Sequence, residues 1–395
     1  MAKENKSVKN FPNSRNVPKL RFWEFANEWR AYYLKEIAEK INNKNNDNKI
    51  ITVFSNSAVQ GIVLQSDYFD KSIANKENLD GYYIVKPFDF VYNPRLSSMA
   101  EVGAMSVNKT NLTGLVSPLY TVFRIKEKNV NIPFLEYLFK SKVWHNYMRS
   151  IANYGARDDR MNVKSDDFYN LPLFIPCFSE QKKVSTFLSL IENRIQTQKK
   201  IIEQLETLMR ANREKLFSQK LRFKEEHGND FSAWERKKIK DILTIGSGKD
   251  YKHLNNGAIP VYGTGGIITF VDSFLYDGET VCIGRKGTID KPLYYNGKIW
   301  TVDTLFYTHS FNNSVPRFVF NIFQNINWKE YNEASGVPSL SKNTIEKIEI
   351  TIPCLEEQTK IANFLSTIQN KIETEKQILE KLELQKKFLL ANLFV

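Results

Sequence analysis

The chain has 395 residues, 42 % of them hydrophobic and 25 % charged, the balance of a globular protein of two or three domains and not of a disordered or membrane-spanning one. Its 56 Lys and Arg against 44 Asp and Glu leave a formal charge of +12 and a pI of about 9.3, which points to a polyanionic partner; nucleic acid ranks above a membrane surface because the basic residues are dispersed. Three cysteines make no disulfide framework, four histidines show no metal-ligand spacing, and neither an apolar leader nor a bilayer-length apolar run occurs, so a cytoplasmic protein with free thiols and no metal is expected.

In chain order, residues 1–18 read as a polar tail, and KLRF at 19–22 leads into a Trp-centred segment, EWRAYYLKEI, that ends at Ile37. A first insert follows, with β-type runs at 50–54, 88–92 and 119–125 and a helical stretch over 132–150. Ile-Pro-Cys at 175–177 then opens a stretch, 179–217, that contains no Gly or Pro. In it Val184, Leu188, Ile191, Ile195, Gln198, Ile202, Leu205, Met209, Asn212 and Leu216 recur at alternating steps of four and three, the seam of a left-handed coiled coil. At 1.5 Å per residue the helix spans roughly 57 Å.

After a connector at 218–233 that carries KLRF again at 220–223, the segment AWERKKIKDI ends at Ile242 and a second insert begins. Its β-type runs lie at 267–271, 280–283 and 305–308, with a helical stretch over 315–325. A second long helix is expected over 356–395, with the seam Ile361, Leu365, Ile368, Ile372, Glu375, Leu379, Leu382, Lys386, Leu389 and Leu393. Sliding the sequence by 177 positions lays 175–217 on 352–394 with twenty of forty-three pairs identical, and Trp29 and Trp234 are 205 apart, so both ends of each half are duplicated. The inserts between them, about 38–174 and 243–351, do not align. The expected fold is α+β: two pseudo-symmetric α/β globules, 19–178 and 234–355, separated by two long antiparallel helices that form a coiled coil. Antiparallel pairing about the helix midpoints brings Gln198 to Glu375, polar residues in an otherwise apolar slot, with Ile191 near Leu382 and Leu205 near Ile368.

The search for catalytic groups is negative. TIGSGKD at 244–250 lacks the full phosphate-loop pattern, and VYNPR at 91–95 lacks the second Pro and the aromatic of an amino-methyltransferase motif. Cys177 and Cys354 share the repeated Ile-Pro-Cys slot and are expected to be buried thiols. Candidate DNA contacts lie in Gly-punctuated loops that combine close backbone approach with basic and polar side chains. In the first insert these are Arg95, Ser97, Ser98, Lys109, Asn111, Tyr154, Arg157 and Arg160. In the second they are Lys249, Tyr251, Lys252, Tyr262, Thr264, Arg285, Lys286 and Thr288. Trp23, Trp29 and Trp234 are assigned to packing of the frame.

The twofold order of KLRF, Trp, Glu-Ile or Asp-Ile, a variable insert, Ile-Pro-x-x-x-Glu-Gln and a long helix resembles the specificity subunit of type I restriction-modification systems over residues 19–394. The resemblance implies that each insert is a target recognition domain for one half of a bipartite double-stranded DNA site, and that the helices space the two domains and dock two methyltransferase subunits. Restriction subunits would complete the assembly. S-adenosylmethionine, ATP and Mg²⁺ would belong to those partners, and this chain would hold no cofactor and do no chemistry. The competing readings are a solitary DNA methyltransferase or nuclease with a helical dimerisation arm, and a coiled-coil scaffold; the missing catalytic set opposes the first, and the chain's net positive charge with its aromatic-rich globules opposes the second.

Overall fold

The computed structural model describes residues 16–68, 79–153 and 159–395. The chain divides into two compact units, Met1–Thr197 with Leu379–Val395, and Gln198–Ile378, so that each unit owns part of each long helix. Among the described residues no helix is long and apolar enough to cross a membrane.

In the first unit Arg30–Tyr33 pairs antiparallel with Pro172–Ile175, and a single turn, Leu34–Ile37, delivers the chain into a four-stranded antiparallel sheet. Its order is Ala38–Lys40, Thr121–Ile125, Phe90–Asn93, Ala104–Val107. Helix Ile132–Lys140 covers it, burying Phe134, Leu135, Leu138 and Phe139, and the Phe90 and Phe123 rings stack at 5.2 Å. In the second unit Glu235–Lys238 pairs with Glu349–Ile352 in the register of the first frame, Arg30 opposite Ile175 and Glu235 opposite Ile352. The insert here is a different sheet of six strands, ordered Thr244–Ser247, Leu305–His309, Tyr276–Gly284, Leu293–Thr301, Asn256–Gly263, Gly266–Val271, with one parallel pairing, between Asn256–Gly263 and Leu293–Thr301.

The long helices are Phe178–Phe217 and Leu355–Asn392. Within the second unit Gln198 meets Glu375 while Met209 lies beside Leu365 and Gln369, so the two segments run antiparallel. Within the first, Glu192 meets Lys386 while Val184 and Leu188 share a core with Leu389, Leu393 and Phe394. Ile191 and Leu382 are both half-buried, and Leu205 and Ile368 pack on the same core of the second unit.

Five expectations change. Trp23, expected to pack in the frame, is 93 % exposed, whereas Trp29 is buried and Trp234 half-buried. The run at 50–54 is mostly not strand: the side chain of buried Asn45 takes both backbone groups of Ile50, donating to its carbonyl at 2.9 Å and accepting its N–H at 3.1 Å, and the strand forms later, at Phe54–Ser57. The stretch 132–150 is two helices, Ile132–Lys140 and His145–Ile151, because the Trp144 indole caps the carbonyls of Phe139 and Ser141 at 3.0 and 3.1 Å and ends the first. Cys177 and Cys354 are exposed, whereas Cys282 is buried. Each exposed cysteine opens a long helix, its carbonyl accepting the first helical N–H bond, from Gln181 at 3.1 Å and from Gln358 at 3.0 Å. Finally, the inserts share more than the sequence displays: at an offset of 184, Phe134, Phe139 and Trp144 fall on Phe318, Phe323 and Trp328, and the Trp328 indole donates to the Phe323 carbonyl at 2.7 Å just as Trp144 does to Phe139. Of the expected tail, residues 1–15 lie outside the described residues, and Asn16 already belongs to the frame through a 2.8 Å bond from the Trp29 N–H to its carbonyl.

Candidate nucleic-acid interface

Both inserts are held by the same lock, built from the Glu-Gln of each Ile-Pro-x-x-x-Glu-Gln. Glu180, 1 % exposed, receives the Arg21 guanidinium at 2.7 Å on each oxygen and the Trp29 indole N–H at 3.2 Å. Glu357, 0 % exposed, receives Arg222 at 3.1 and 2.7 Å and the Trp234 indole at 3.1 Å. The Gln that follows reaches into the insert: Gln181 accepts the Asn131 N–H at 2.7 Å and donates to Asn129, and Gln358 accepts the Val315 N–H at 2.9 Å and donates to Asn313. Each Gln thus satisfies the approach to a covering helix. The duplicated Arg, Trp, Glu and Gln were the signal for this lock.

In the first unit the backbones of Arg95 and Arg160 form an antiparallel bridge, which sends both side chains to one face. Arg160 borders a cleft of about 390 Å³ lined by Pro94, Leu119, Thr121 and Asn162, and both arginines oppose the burial that raises the Tyr120 hydroxyl above its ordinary value. Ser97 and Ser98 are exposed in the adjoining loop, tied by reciprocal bonds between Ser97 and Ala100 at 3.1 and 3.0 Å. The other candidates have local duties. Lys109 is ion-paired to Glu136 at 2.6 Å, and Asn111 holds a left-handed turn, φ 58°, closed by Asn108. Asn93 of VYNPR spends its amide on the Asn56 carbonyl and its oxygen on the Arg95 N–H, so this Asn-Pro builds a turn. Tyr154 and Arg157 lie outside the described residues.

In the second unit the three Gly-rich loops converge on residues 301–304. Lys249 donates its N–H to the Thr301 carbonyl at 2.8 Å, and Gly248 is required there because a Cβ would sit 1.9 Å from the Val302 oxygen. Tyr262 accepts the Val302 N–H at 3.0 Å, and Arg285 and Lys286 both reach Thr304. Thr264 stands beside Gly287, joining the second loop to the third. Arg285, Lys286, Lys249 and Lys252 are exposed around this point, Tyr251, Tyr262 and Thr288 half-buried. The adjacent hairpin exposes Ile267, Ile268 and Phe270 by about half each, an apolar edge that alternation in the sequence assigned to a strand without showing which face is free. Among the described residues no group of three or more His, Cys, Asp or Glu is placed to hold a metal ion.

The helix pair supplies two polar sites. Gln198, 1 % exposed, donates to the Glu375 carboxylate and to its carbonyl at 3.2 Å, and Lys371 pairs with the same carboxylate at 2.5 Å. In the first unit Glu192 accepts from Lys386 at 2.7 Å and from the Tyr137 hydroxyl at 2.9 Å, with Lys140 at 3.4 Å. Burial pushes the Glu192 carboxyl up, but the bond from Lys386 and the charges of Lys140 and Lys386 win and hold it at about 2, against an ordinary 4.5. A depressed carboxylate contributes stability that is complete above pH 4.5 and is lost as the pH falls toward 2. Lys386→Met is therefore expected to flatten that acid limb in urea unfolding of the first unit; an unchanged limb would remove Glu192 from the account.

Residues 232–384 match the family model of the type I restriction modification DNA specificity domain. The type I restriction enzyme MjaVIII specificity subunit of Methanocaldococcus jannaschii is 25 % identical over 310 residues, covering 68 % of this chain and 71 % of that one. The chain assigned as the MjaX specificity subunit of the same organism is 24 % identical over 418 residues and 95 % of each chain. The fold matches the S subunit of a type I restriction-modification system from M. genitalium with a TM-score of 0.61 at 17 % identity over 96 % of this chain and 99 % of that one. It also matches a chain from a structure of type I R-M complex assembly at 0.58 and 14 % identity over 92 and 96 %.

Proposed function

We propose, from the premise that the chain belongs to the family of type I restriction-modification specificity subunits, that each unit reads one half of an asymmetric bipartite double-stranded DNA site and brings partner enzymes to it. The observation that carries this reading is a like frame around unlike inserts: the Arg-Glu-Trp lock repeats in both units, while the loop clusters, Arg95 and Arg160 in one and Lys249, Arg285 and Lys286 in the other, lie in inserts built on different sheets. Basic groups beside glycines suit phosphate, and the half-exposed hairpin suits apolar contact with thymine methyl groups. The chain itself does no chemistry. Two methyltransferase subunits would dock on the helix pair and bring S-adenosylmethionine, restriction subunits would bring ATP and Mg²⁺, and the assembly would work in the cytoplasm.

Arg285→Ala is expected to cost about 1–3 kcal/mol and relax one base position, whereas Lys286→Ala should weaken all sequences alike and lower the salt slope by about one. Titrations across sequence and salt separate the two, and unchanged affinity in both variants would remove this loop from the interface. The reading as a whole is tested by co-expressing the chain with its neighbouring methyltransferase and mapping methylated sites. Bipartite sites that vanish without the chain support it; purified chain that methylates or cuts DNA alone contradicts it.

A further inference from the structure

One face of the six-stranded sheet in the second unit carries a row of aromatic rings. Tyr262, Tyr276, Tyr295 and Tyr307 come from four different strands, and His309 follows Tyr307 by two positions. Tyr262 and Tyr295 stand 5.4 Å apart. The rings of Tyr276, Tyr307 and His309 lie 5.6, 5.8 and 6.1 Å from one another with their planes tilted by 34°, 30° and 39°, so the three share one surface. The Tyr307 ring lies across Gly246 of the neighbouring strand, where a Cβ would meet it at 2.3 Å. Buried Cys282, Ile299 and Leu305 form the floor, and every residue of this apolar cluster belongs to a strand of the sheet. Side chains alternate along a strand, so Tyr294 points away from Tyr295 and packs on Phe320 of helix Pro316–Asn325, which covers the opposite face.

The four tyrosines and His309 are half-buried, and among the described residues none of the four hydroxyls makes a hydrogen bond. No carboxylate enters the cluster, since Glu279 turns to Tyr294 and Arg317 on the helix side. Positive charge stands at both ends of the row. Leu305 pairs with Gly284, after which Arg285 and Lys286 are exposed. At the other end the charge of Lys342 adds to burial in lowering the His309 pKa.

We propose that this face binds single-stranded DNA, its bases stacked on the tyrosine rings and its phosphates met by the basic residues at either end. Rings offer a stacking surface to every unpaired base, whereas a duplex keeps its bases stacked on one another. A proline-rich peptide also packs on aromatic grooves, but it brings no negative charge to these cations. The inference goes beyond the reading of duplex targets and does not rest on it. Tyr262 alone is shared with the loop cluster, and the variants leave it untouched.

The test is fluorescence anisotropy on the full chain with a labelled oligo-dT strand of about 16 nucleotides, an abasic strand of the same length and a duplex. Oligo-dT is expected to bind about tenfold or more tightly than the abasic strand, which keeps the phosphates and lacks the bases. Tyr276→Ala with Tyr307→Ala should remove that difference and leave duplex affinity in place, while Tyr276→Phe with Tyr307→Phe, which keeps the rings, should preserve it. The comparison of the two strands on the unaltered chain decides the matter should the alanine variant fail to fold. Equal binding of oligo-dT and the abasic strand, no binding of oligo-dT, or displacement of oligo-dT by an oligoproline peptide overturns the proposal. So does a folded alanine variant that keeps its preference for oligo-dT, or one that loses duplex and single strand together.

Discussion

Glu357→Ala is expected to destabilise the second unit by about 3 kcal/mol, at the low end of the cost of breaking a buried ion pair because Arg222 is partly exposed. The carboxylate is fully buried and is the acceptor for both the Arg222 guanidinium and the Trp234 indole, whose donors would be left facing a cavity. Its neighbour Glu356 supplies the control. That side chain is 57 % exposed and paired only with Lys360, at 3.2 Å, so its loss should cost less than about 0.5 kcal/mol. Urea unfolding of the two variants distinguishes a lock from a helix-dipole effect, since two adjacent first-turn acids would then matter equally.

Replacing both Gln198 and Glu375 by Leu is expected to stabilise the helix pair by about 1–3 kcal/mol, as apolar isosteres of buried polar groups often do. Specificity should fall as stability rises. The polar pair is satisfied in one alignment, with Gln198 donating to the Glu375 side chain and backbone, and a slip would bury each against Ile or Leu. The double variant should therefore melt higher yet direct methylation to sites of altered spacer length. A lower melting temperature would mean that the pair is itself a net stabiliser, and unchanged spacer preference would mean that the apolar seam alone sets the register.

What the sequence disclosed was the frame. Identity across the offset of 177 exposed the helices, their seams and the meeting of Gln198 with Glu375, because coiled-coil periodicity is a local property and a duplication carries it into both halves. The lock was present as the same residue types in the same order in both copies, but that Arg21 reaches Glu180 across 159 positions is a tertiary fact no window contains. The kinship of helices Ile132–Lys140 and Pro316–Asn325 stayed hidden because only their buried aromatics match, while the residues facing the long helices differ in charge. Asn45 and Trp144 overrode strand and helix propensity through single side-chain bonds. Loop residues were legible as types only: the structure gathers the Lys249, Tyr262 and Arg285 loops around Thr301–Thr304 and pairs Arg95 with Arg160, yet commits Lys109 to Glu136.

The central claim is that two independent readers sit in like frames, and exchange of one insert tests it most directly. Residues 243–351 lie between Ile242, the last residue of the frame turn, and Ile352, the end of the returning strand, so an insert from a type I specificity subunit can be grafted at these points without touching the Arg222-Glu357-Trp234 lock. Methylome sequencing of cells carrying the chimera and the methyltransferase is predicted to show one half of the bipartite site replaced and the other half unchanged. Both halves altered, or neither, would contradict it.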